Sequence, residues 1–311
     1  MGDATTYDAI VIGGGPAGLT AGLYLARARK KTLLLEQAVL GGQIAQTKHL
    51  ENYPGFPETI TGSELIERFR KQAERFGLEI QFGRVDALRD EGEWKTVDVS
   101  GFPFRARAVI VATGLIQRLG VPGEEECLGR GVSYCATCDG ALYRQRPAAV
   151  VGMSEWALEE AQFLARFAAP LYLVVPAREF EPTTELRRDL LARPNVELVA
   201  GVRPVEVLRD DSGVTGLRVE ARDGGDRFDL AVDGVFIFAG RKRPGTEFLE
   251  GLVELDEEGY VRVDEACETS RPGIYAVGDV RRRRFHQVAT AVGDGAVAGM
   301  DAIRHLKGGE P

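Results

Sequence analysis

Cys135-Ala136-Thr137-Cys138, followed at once by Asp139, places two thiols three residues apart with a carboxylate beside them. Sulfurs at that spacing on one turn can open and close a disulfide. Small Ala and Thr spacers keep them accessible, and the acid can trade protons with a thiolate. The same residues would also serve as half of a metal knuckle, or as two unrelated core thiols. A knuckle needs a second Cys/His pair, and the remaining cysteines, Cys127 and Cys267, are single and far apart. A second candidate centre is Gly13-Gly14-Gly15-Pro16-Ala17-Gly18, whose glycines have G-x-G-x-x-G spacing. The first glycine makes the turn, the next lets backbone approach a pyrophosphate at a helix N-terminus, and the last lets helix pack on strand. Glu36 ends the next strand, placed to accept from ribose hydroxyls or simply to face solvent.

These residues need elements to hold them. Tyr7 to Ile12 is a short apolar run of the kind that forms a buried parallel strand, and the glycine turn leads from it into an apolar helix. A strand from Lys31 to Leu35 follows, then an amphipathic helix from Glu64 to Phe76. Strands are expected at Leu78 to Phe82, Lys95 to Val99 and Arg105 to Val111. A second βαβ start predicts a strand at Ala148 to Val151, a turn at Gly152-Met153-Ser154, a helix from Glu155 to Phe167 and a strand at Leu171 to Val175. Further strands are expected at Val196 to Val199, Gly216 to Glu220, Gly234 to Phe238, Tyr260 to Val263 and Gly273 to Val277, and a last helix at Ala289 to Leu306. The two βαβ starts are the internal repeat. They predict an α/β fold of two dinucleotide-binding, Rossmann-like, three-layer domains.

Bulk composition narrows the function classes. A chain of 311 residues suggests about two domains, and 44% hydrophobic with 28% charged residues is ordinary for a globular protein. A net charge of -8 argues against a general nucleic-acid binder. No run approaches the roughly 20 apolar residues that cross a bilayer, and the N-terminus has no signal-peptide pattern. Four cysteines in so long a chain are not a disulfide framework, which points to a reducing, cytoplasmic setting.

Two later stretches join the first turn. Val109 to Gly114 is a buried strand running into a small-residue turn, and Ile274 to Asp279 is a strand ending in an acid. Together they resemble the pattern of flavoproteins with two dinucleotide domains. With Gly41-Gly42-Gln43, Glu51 to Phe56, Cys135 to Gly140, Gly278-Asp279-Val280 and Gln287 through Gly295, the whole chain resembles the bacterial low-molecular-weight thioredoxin reductases. The resemblance implies a discontinuous FAD-binding domain, 1–117 with 245–311, and a central NAD(P)H-binding-like domain, 118–244, that carries the cysteine pair. It implies FAD held by Gly13, Gly15, Pro16, Ala17, Gly18, Glu36, Gly42, Gln43, Asn52, Val85, Ala112, Thr113, Gly114, Gly278, Asp279, Gln287 and Val288, with Asn52 near the isoalloxazine. His286 stands where the family has Arg and is given no role. The resemblance also implies that Cys138 faces the flavin, Cys135 attacks thioredoxin or a thioredoxin-like protein, and Asp139 is acid and base. The central domain would rotate between the two tasks, and the protein would be a homodimer.

The second turn departs from the family. Its Gly-x-Gly-x-x-Ala becomes Gly152-Met153-Ser154-Glu155-Trp156-Ala157, so a side chain is expected where backbone should meet pyrophosphate, with Trp156 adding bulk. Where the family places several arginines for a 2′-phosphate, this chain has Pro176-Ala177-Arg178-Glu179-Phe180-Glu181-Pro182. Losing charge-assisted contacts of about 1.5–3 kcal/mol each would weaken NADPH severely. The expectation is a flavoprotein disulfide reductase for which NADPH is doubtful and the donor is ferredoxin or another reduced carrier. Some relatives hold a second flavin. The remaining alternative is a drifted site that still takes NADPH. Arg281 to Arg284 would dock an acidic donor, or form a solvated basic loop.

Other classes are a ferredoxin–NADP reductase relative, against which the cysteine pair weighs, and a non-catalytic flavin-binding sensor or scaffold. Cys127, after Glu124-Glu125-Glu126, and Cys267 read as spectators, and His49 and His305 as surface residues. No metal constellation is expected.

Overall fold

A computed structural model describes residues 5–47, 50–178, 180, 184–249 and 251–308; the side chains of Gln46, Thr137, Cys138 and Arg241 lie outside that description. The expected surface residue His49, and Glu179, Glu181 and Pro182 of the second strand end, fall outside it as well. The chain forms two compact units, Met1–Ile116 with Arg243–Pro311 and Gln117–Lys242. The crossings expected from sequence, 117/118 and 244/245, fall one and two residues further along the chain.

Unit one is built on β1 (Thr5–Ile12), α1 (Pro16–Arg27), β2 (Thr32–Glu36), α2 (Gly62–Glu74), β3 (Glu79–Phe82), β4 (Val85–Glu91), β5 (Trp94–Val99) and β6 (Phe102–Val111). Its sheet has seven strands. Parallel pairing runs from β3 through β2 and β1 to β6. The far edge of β6 is shared. Its first half pairs antiparallel with β5, which pairs in turn with β4, and its last residues pair with a strand from the end of the chain.

Alternation explains why β1 is apolar on both faces. Ile10 and Ile12 enter one core with Val109, Val111, Val97 and Ile274, while Ala9 and Val11 enter the other with Leu34, Ile110 and Tyr275. A strand covered on both sides has no wet face for polar residues. Each fully buried Ile or Leu contributes about 1.5–3 kcal/mol. The second core is closed by Leu19, Ala21 and Leu25 of α1.

Unit two follows through β7 (Leu115–Arg118), β8 (Val132–Ser133), α3 (Ala136–Asp139), β9 (Ala148–Val151), α4 (Glu155–Leu164), β10 (Leu171–Val175), α5 (Glu185–Leu191), β11 (Val196–Ala200), β12 (Val202–Asp210), β13 (Gly213–Ala221), β14 (Arg227–Leu230), β15 (Gly234–Ile237) and β16 (Arg241–Pro244). A five-stranded sheet of order β11-β10-β9-β15-β8 pairs in parallel throughout. On one face Ala148, Val150 and Phe236 pack against Leu158, Ala161 and Leu164 of α4. On the other, Ala149, Val151, Val235 and Ile237 meet Val207, Leu217 and Leu230 of the antiparallel β12-β13-β14 sheet. The result is three layers: helices, parallel sheet, antiparallel sheet.

The chain returns to unit one with β17 (Ile274–Ala276) and α6 (Val288–His305). The expected strand at Tyr260 to Val263 is reduced to isolated bridges from Val261 to Leu255 and to Arg281. β4, β7, β8, β12, β14 and β16, and the helices α3 and α5, were not expected. No helix among the described residues is long and apolar enough to cross a membrane.

Candidate functional site

The first glycine turn sits where β1 ends. Gly13 has φ +108°, a conformation that L side chains avoid, and a Cβ there would lie 2.4 Å from Ala112 O. A Cβ at Gly18 would come within 1.9 Å of Gly13 O, so α1 can approach β1 only without a side chain. At Gly15 the nearest atom to such a Cβ is Gly41 O at 4.0 Å, so the turn is open on that side. Gly15 is the N-cap of α1 and offers no side-chain cap, Pro16 opens the helix, and its first turn holds no acid. The helix N-terminus therefore presents uncompensated N–H groups to the opening.

Glu36 meets this turn directly, and the other candidates of unit one are tied to neighbouring elements. Glu36 Oε2 accepts from Gly14 N at 2.8 Å, and Oε1 from Ala38 N at 2.9 Å. Burial pushes its carboxyl above the usual range, and the backbone bonds pull it back. Sequence reasoning offered a ribose acceptor or a solvated strand end; the structure adds a turn-pinning role that leaves each oxygen a further lone pair. Gln43, in a 3-10 turn opened by Gly42, donates from Nε2 to Leu115 O at 3.1 Å. Asn52 Nδ2 donates to Gln287 Oε1 at 3.0 Å, which ties the 51–56 loop to the N-cap of α6, where Val288 is the first helical residue. Thr113 Oγ1 donates to Gly245 O at 2.7 Å, between Ala112 and Gly114. Val85 opens β4 and packs, partly buried, on the sheet core.

Gly278 N donates to Asp294 Oδ2 at 3.0 Å. Next to it, Asp279 Oδ1 is buried and makes no hydrogen bond among the described residues. His286 Nδ1 stands 3.2 Å from that oxygen. Sequence reasoning passed over His286; its place one residue before Gln287 was the available signal.

In unit two, β8 delivers the cysteine segment onto α3, which packs on α4 through the fully buried Ala136. Cys135 is half-buried and disulfide-bonded, while Cys127 and Cys267 are free, buried thiols. The Cys138 side chain lies outside the described residues. Cys135 N donates to Ser133 Oγ at 3.1 Å, and Ala136 N donates to Glu160 Oε2 at 2.8 Å. Asp139 ends α3, its N donating to Cys135 O at 3.3 Å. Just upstream, Tyr134 Oη accepts from Arg118 Nη1 at 2.7 Å and donates to Glu124 Oε1 at 2.8 Å. Burial pushes that phenol far above its ordinary range. The same Glu124 carboxylate accepts from Leu119 N and Gly120 N at 3.0 and 2.7 Å, so the segment before the cysteines is rigidly held. Among the described residues no group of His, Cys, Asp and Glu could hold a metal ion.

Comparison with known proteins agrees with this arrangement. The pyridine nucleotide-disulphide oxidoreductase model matches residues 7–295. A thioredoxin reductase of Aquifex aeolicus is 40% identical over 304 residues, covering 97% of this chain and 94% of the relative. The solved thioredoxin reductase of Gloeobacter violaceus superposes with a TM-score of 0.71 at 39% identity, covering 99% of this chain and 96% of that one. The chain belongs to the thioredoxin reductase family. It is an enzyme of the flavoprotein disulfide oxidoreductase class. A solved ferredoxin-flavin thioredoxin reductase from Clostridium acetobutylicum is also similar, at 28% identity and TM-score 0.63, covering 97% and 98% of the two chains.

Thioredoxin reductases use FAD, and unit one fits it. The open glycine turn suits a pyrophosphate, and the buried Asp279 Oδ1, which makes no hydrogen bond among the described residues, suits the hydroxyl donor that a ribityl chain carries. Two expectations about the second turn are corrected. Ser154 does not stand into the second turn; it is the N-cap of α4, its Oγ accepting from Ala157 N at 3.2 Å. Trp156 adds no bulk at the mouth, because its largely apolar indole turns inward onto Phe238, ring centroids 4.7 Å apart. Of Arg281 to Arg284, the first three meet carboxylates, and Arg284 is exposed with its guanidinium over the Phe285 ring. Arg282 Nε pairs with Asp256 at 2.8 Å and its Nη2 with Glu258 at 2.9 Å, Arg283 pairs with Asp294, and Arg281 Nε lies 3.7 Å from Asp294.

The remaining second-site cation, Arg178, pairs with Asp223 at 2.9 Å on the surface. His305 is half-buried near Gly273 rather than on the surface. Burial, rather than acidic neighbours, is the main cause of the raised Cys127 thiol, and nearby Arg130 and Arg209 oppose it. Cys267 is raised by burial too, its Sγ accepting from Arg281 Nη1 at 3.1 Å.

Proposed function

We propose that this chain is an FAD-dependent thioredoxin-disulfide reductase in which Cys135 and Cys138 are the redox pair and Asp139 is the acid and base. FAD, when bound, supplies a two-electron carrier able to reduce a disulfide. The first turn and the N-terminus of α1 hold its pyrophosphate, Glu36 a ribose, Asp279 the ribityl chain, and the Asn52–Gln287 pair borders the ring. Val85, Ala112, Gly114, Gly42, Gln43 and Val288 complete the wall. The reduced Cys135 attacks a disulfide of thioredoxin or a thioredoxin-like protein. A mixed disulfide forms, and the partner's second sulfur leaves as thiolate. Cys138 then attacks Cys135 Sγ, the Cys135–Cys138 disulfide reforms, and reduced partner departs. Asp139 delivers the proton that the leaving thiolate takes up. Residues 1–116 with 243–311 serve as the FAD domain and 117–242 as the redox domain.

The observation that carries this reading is the disulfide-bonded Cys135 at the head of α3 in a chain whose other unit has the open glycine turn and a buried Asp279 oxygen that makes no hydrogen bond among the described residues. Dithionite-reduced protein should reduce thioredoxin's disulfide, and Cys138→Ser should abolish this while leaving the protein yellow. Retained turnover in that variant would reject the assignment.

NADPH is a poor donor on this reading, because the strand end carries Arg178 where the family places several arginines, and Arg178 is engaged by Asp223 on the surface. A reduced protein carrier of the ferredoxin kind is the favoured donor, in line with the similarity to the clostridial ferredoxin-flavin enzyme. The capped Ser154 and inward Trp156 favour the other reading, an NADPH site with altered contacts, since neither obstructs the turn. Anaerobic mixing with NADPH, NADH and reduced ferredoxin separates them. Flavin absorbance should stay oxidised with NADPH and bleach with ferredoxin; rapid bleaching at micromolar NADPH selects the second reading.

A homodimer through unit one is part of the proposal. Val297 and Met300 of α6 are 37% and 53% exposed, beside a cavity of about 150 Å³ lined by Leu23, Tyr24, Phe69 and Val292. Light scattering should report twice the chain mass, and Met300→Glu should shift it to the monomer.

A further inference from the structure

The N–H groups of Cys135 and Ala136, at the head of the cysteine helix, are already taken. In a Cys-x-x-Cys segment, leading amides left open direct positive charge at the first sulfur and stabilise its thiolate. Here Cys135 N donates to Ser133 Oγ, a hydroxyl that donates back to Cys135 O at 3.2 Å. Ala136 N donates to a carboxylate oxygen of Glu160, on α4. Ala136 is fully buried and Glu160 half-buried, so this contact is only partly screened by solvent. A negative charge is thereby fixed one peptide unit from Cys135, and Asp139 adds another at the far end of the same short helix.

Reduction of the pair takes two electrons and two protons, breaks the S–S bond and leaves two thiols, of which one must ionise to attack a partner. A fixed negative charge destabilises that ionised dithiol and leaves the neutral disulfide nearly untouched. Pairs whose reduced form is stabilised are oxidants, so the converse device makes a reductant. We propose that Glu160 is a positioning residue that sets the redox poise: it holds α3 by the Ala136 amide and biases the pair toward disulfide, so that electrons placed on it pass onward. The inference rests on Cys135 and Cys138 being the redox pair.

The test is the dithiol–disulfide equilibrium of the intact flavoprotein. Parent and variants are equilibrated anaerobically at pH 7 in dithiothreitol redox buffers, quenched, alkylated, and the Cys135–Cys138 peptide is quantified by mass spectrometry. Glu160→Gln keeps an acceptor for Ala136 N but loses the charge. It should shift the equilibrium about tenfold toward dithiol, a potential about 30 mV less negative. Glu160→Ala, which also frees the amide, should move further the same way. Glu185→Gln, removing an exposed carboxylate from the first turn of α5, should leave the potential at the parent value. A Glu160→Gln potential within twofold of the parent, or shifted the opposite way, overturns the proposal even if the Ala variant fails to fold. A parent pair that never cycles between the two states would instead unseat the redox reading, and this inference with it.

Discussion

Two strand–turn–helix starts, Gly13 to Gly18 in unit one and Gly152 to Ala157 in unit two, share a backbone and differ in what caps the helix. Each turns on a glycine at positive φ, +108° at Gly13 and +153° at Gly152, and each has an N-cap in extended conformation. At the cap the first turn has Gly15, which leaves the helix amides open, and no acid follows in the first helical turn. The second has Ser154, which takes the Ala157 amide for itself, and Glu155 places a negative charge at the same end. One helix N-terminus is left as a site for an anion; the other has already been satisfied from within. The difference lies in two side chains rather than in the fold, and it can be probed from either side.

The largest effect should come from closing the first turn. Gly18→Ala sets a Cβ 1.9 Å from Gly13 O, a backbone atom that cannot yield without opening the β1–α1 contact. Loss of about 3 kcal/mol of stability and colourless purified protein are expected, read from urea midpoints and the flavin-to-protein absorbance ratio. Next comes Asp279→Ala, which removes the buried oxygen that has no hydrogen bond among the described residues. Flavin should be held about 10–100-fold more weakly, measured by the fluorescence of flavin released on dilution, with the urea midpoint of the flavin-free protein little changed. Unaltered retention would mean that the oxygen serves something other than the ribityl chain.

How much of this could be read from the chain depended on which interactions were local. The buried parallel strands and their glycine turns were readable because continuous apolar runs and turn residues lie together in sequence, as in β1 and β9. The antiparallel strands β4, β12 and β14 were not. They carry charged residues on wet faces and are held by cross-strand pairs such as Arg218–Asp229 and Arg227–Glu220, both 2.8 Å, whose partners lie on the neighbouring strand. The same limit explains the site. Glycine spacing marked the turn that the structure leaves open, and cysteine spacing the segment of the disulfide-bonded Cys135. The direction in which Trp156 turns, and the carboxylates that meet Arg281 to Arg283, depend on Phe238, Asp256, Glu258 and Asp294, which sequence spacing does not bring together.

Remaking the second turn in the image of the first is the sharper probe. Ser154→Gly combined with Glu155→Gln frees the Ala157 amide and removes the charge at the head of α4. NADPH-dependent flavin reduction should then rise about tenfold, because a helix terminus favours an anion by up to ~1–2 kcal/mol once nothing opposes it. Stopped-flow absorbance at 450 nm would report it. No gain would show that the contacts offered to a 2′-phosphate by the 176–182 strand end, and not the cap, limit the nucleotide.

The smallest effect isolates the cap itself. If Ser154 serves α4 as a structural N-cap, Ser154→Ala should cost unit two about 1 kcal/mol, since the Ala157 amide loses its acceptor at a partly buried helix start. Ser154→Gly should cost only a few tenths, because glycine lets water reach the same amide. Flavin content should be identical in both, as the first turn is untouched. Equal costs for Ala and Gly, or none, would mean that the serine is not holding the helix. The contrast between the two turns would then reduce to the charge of Glu155 alone.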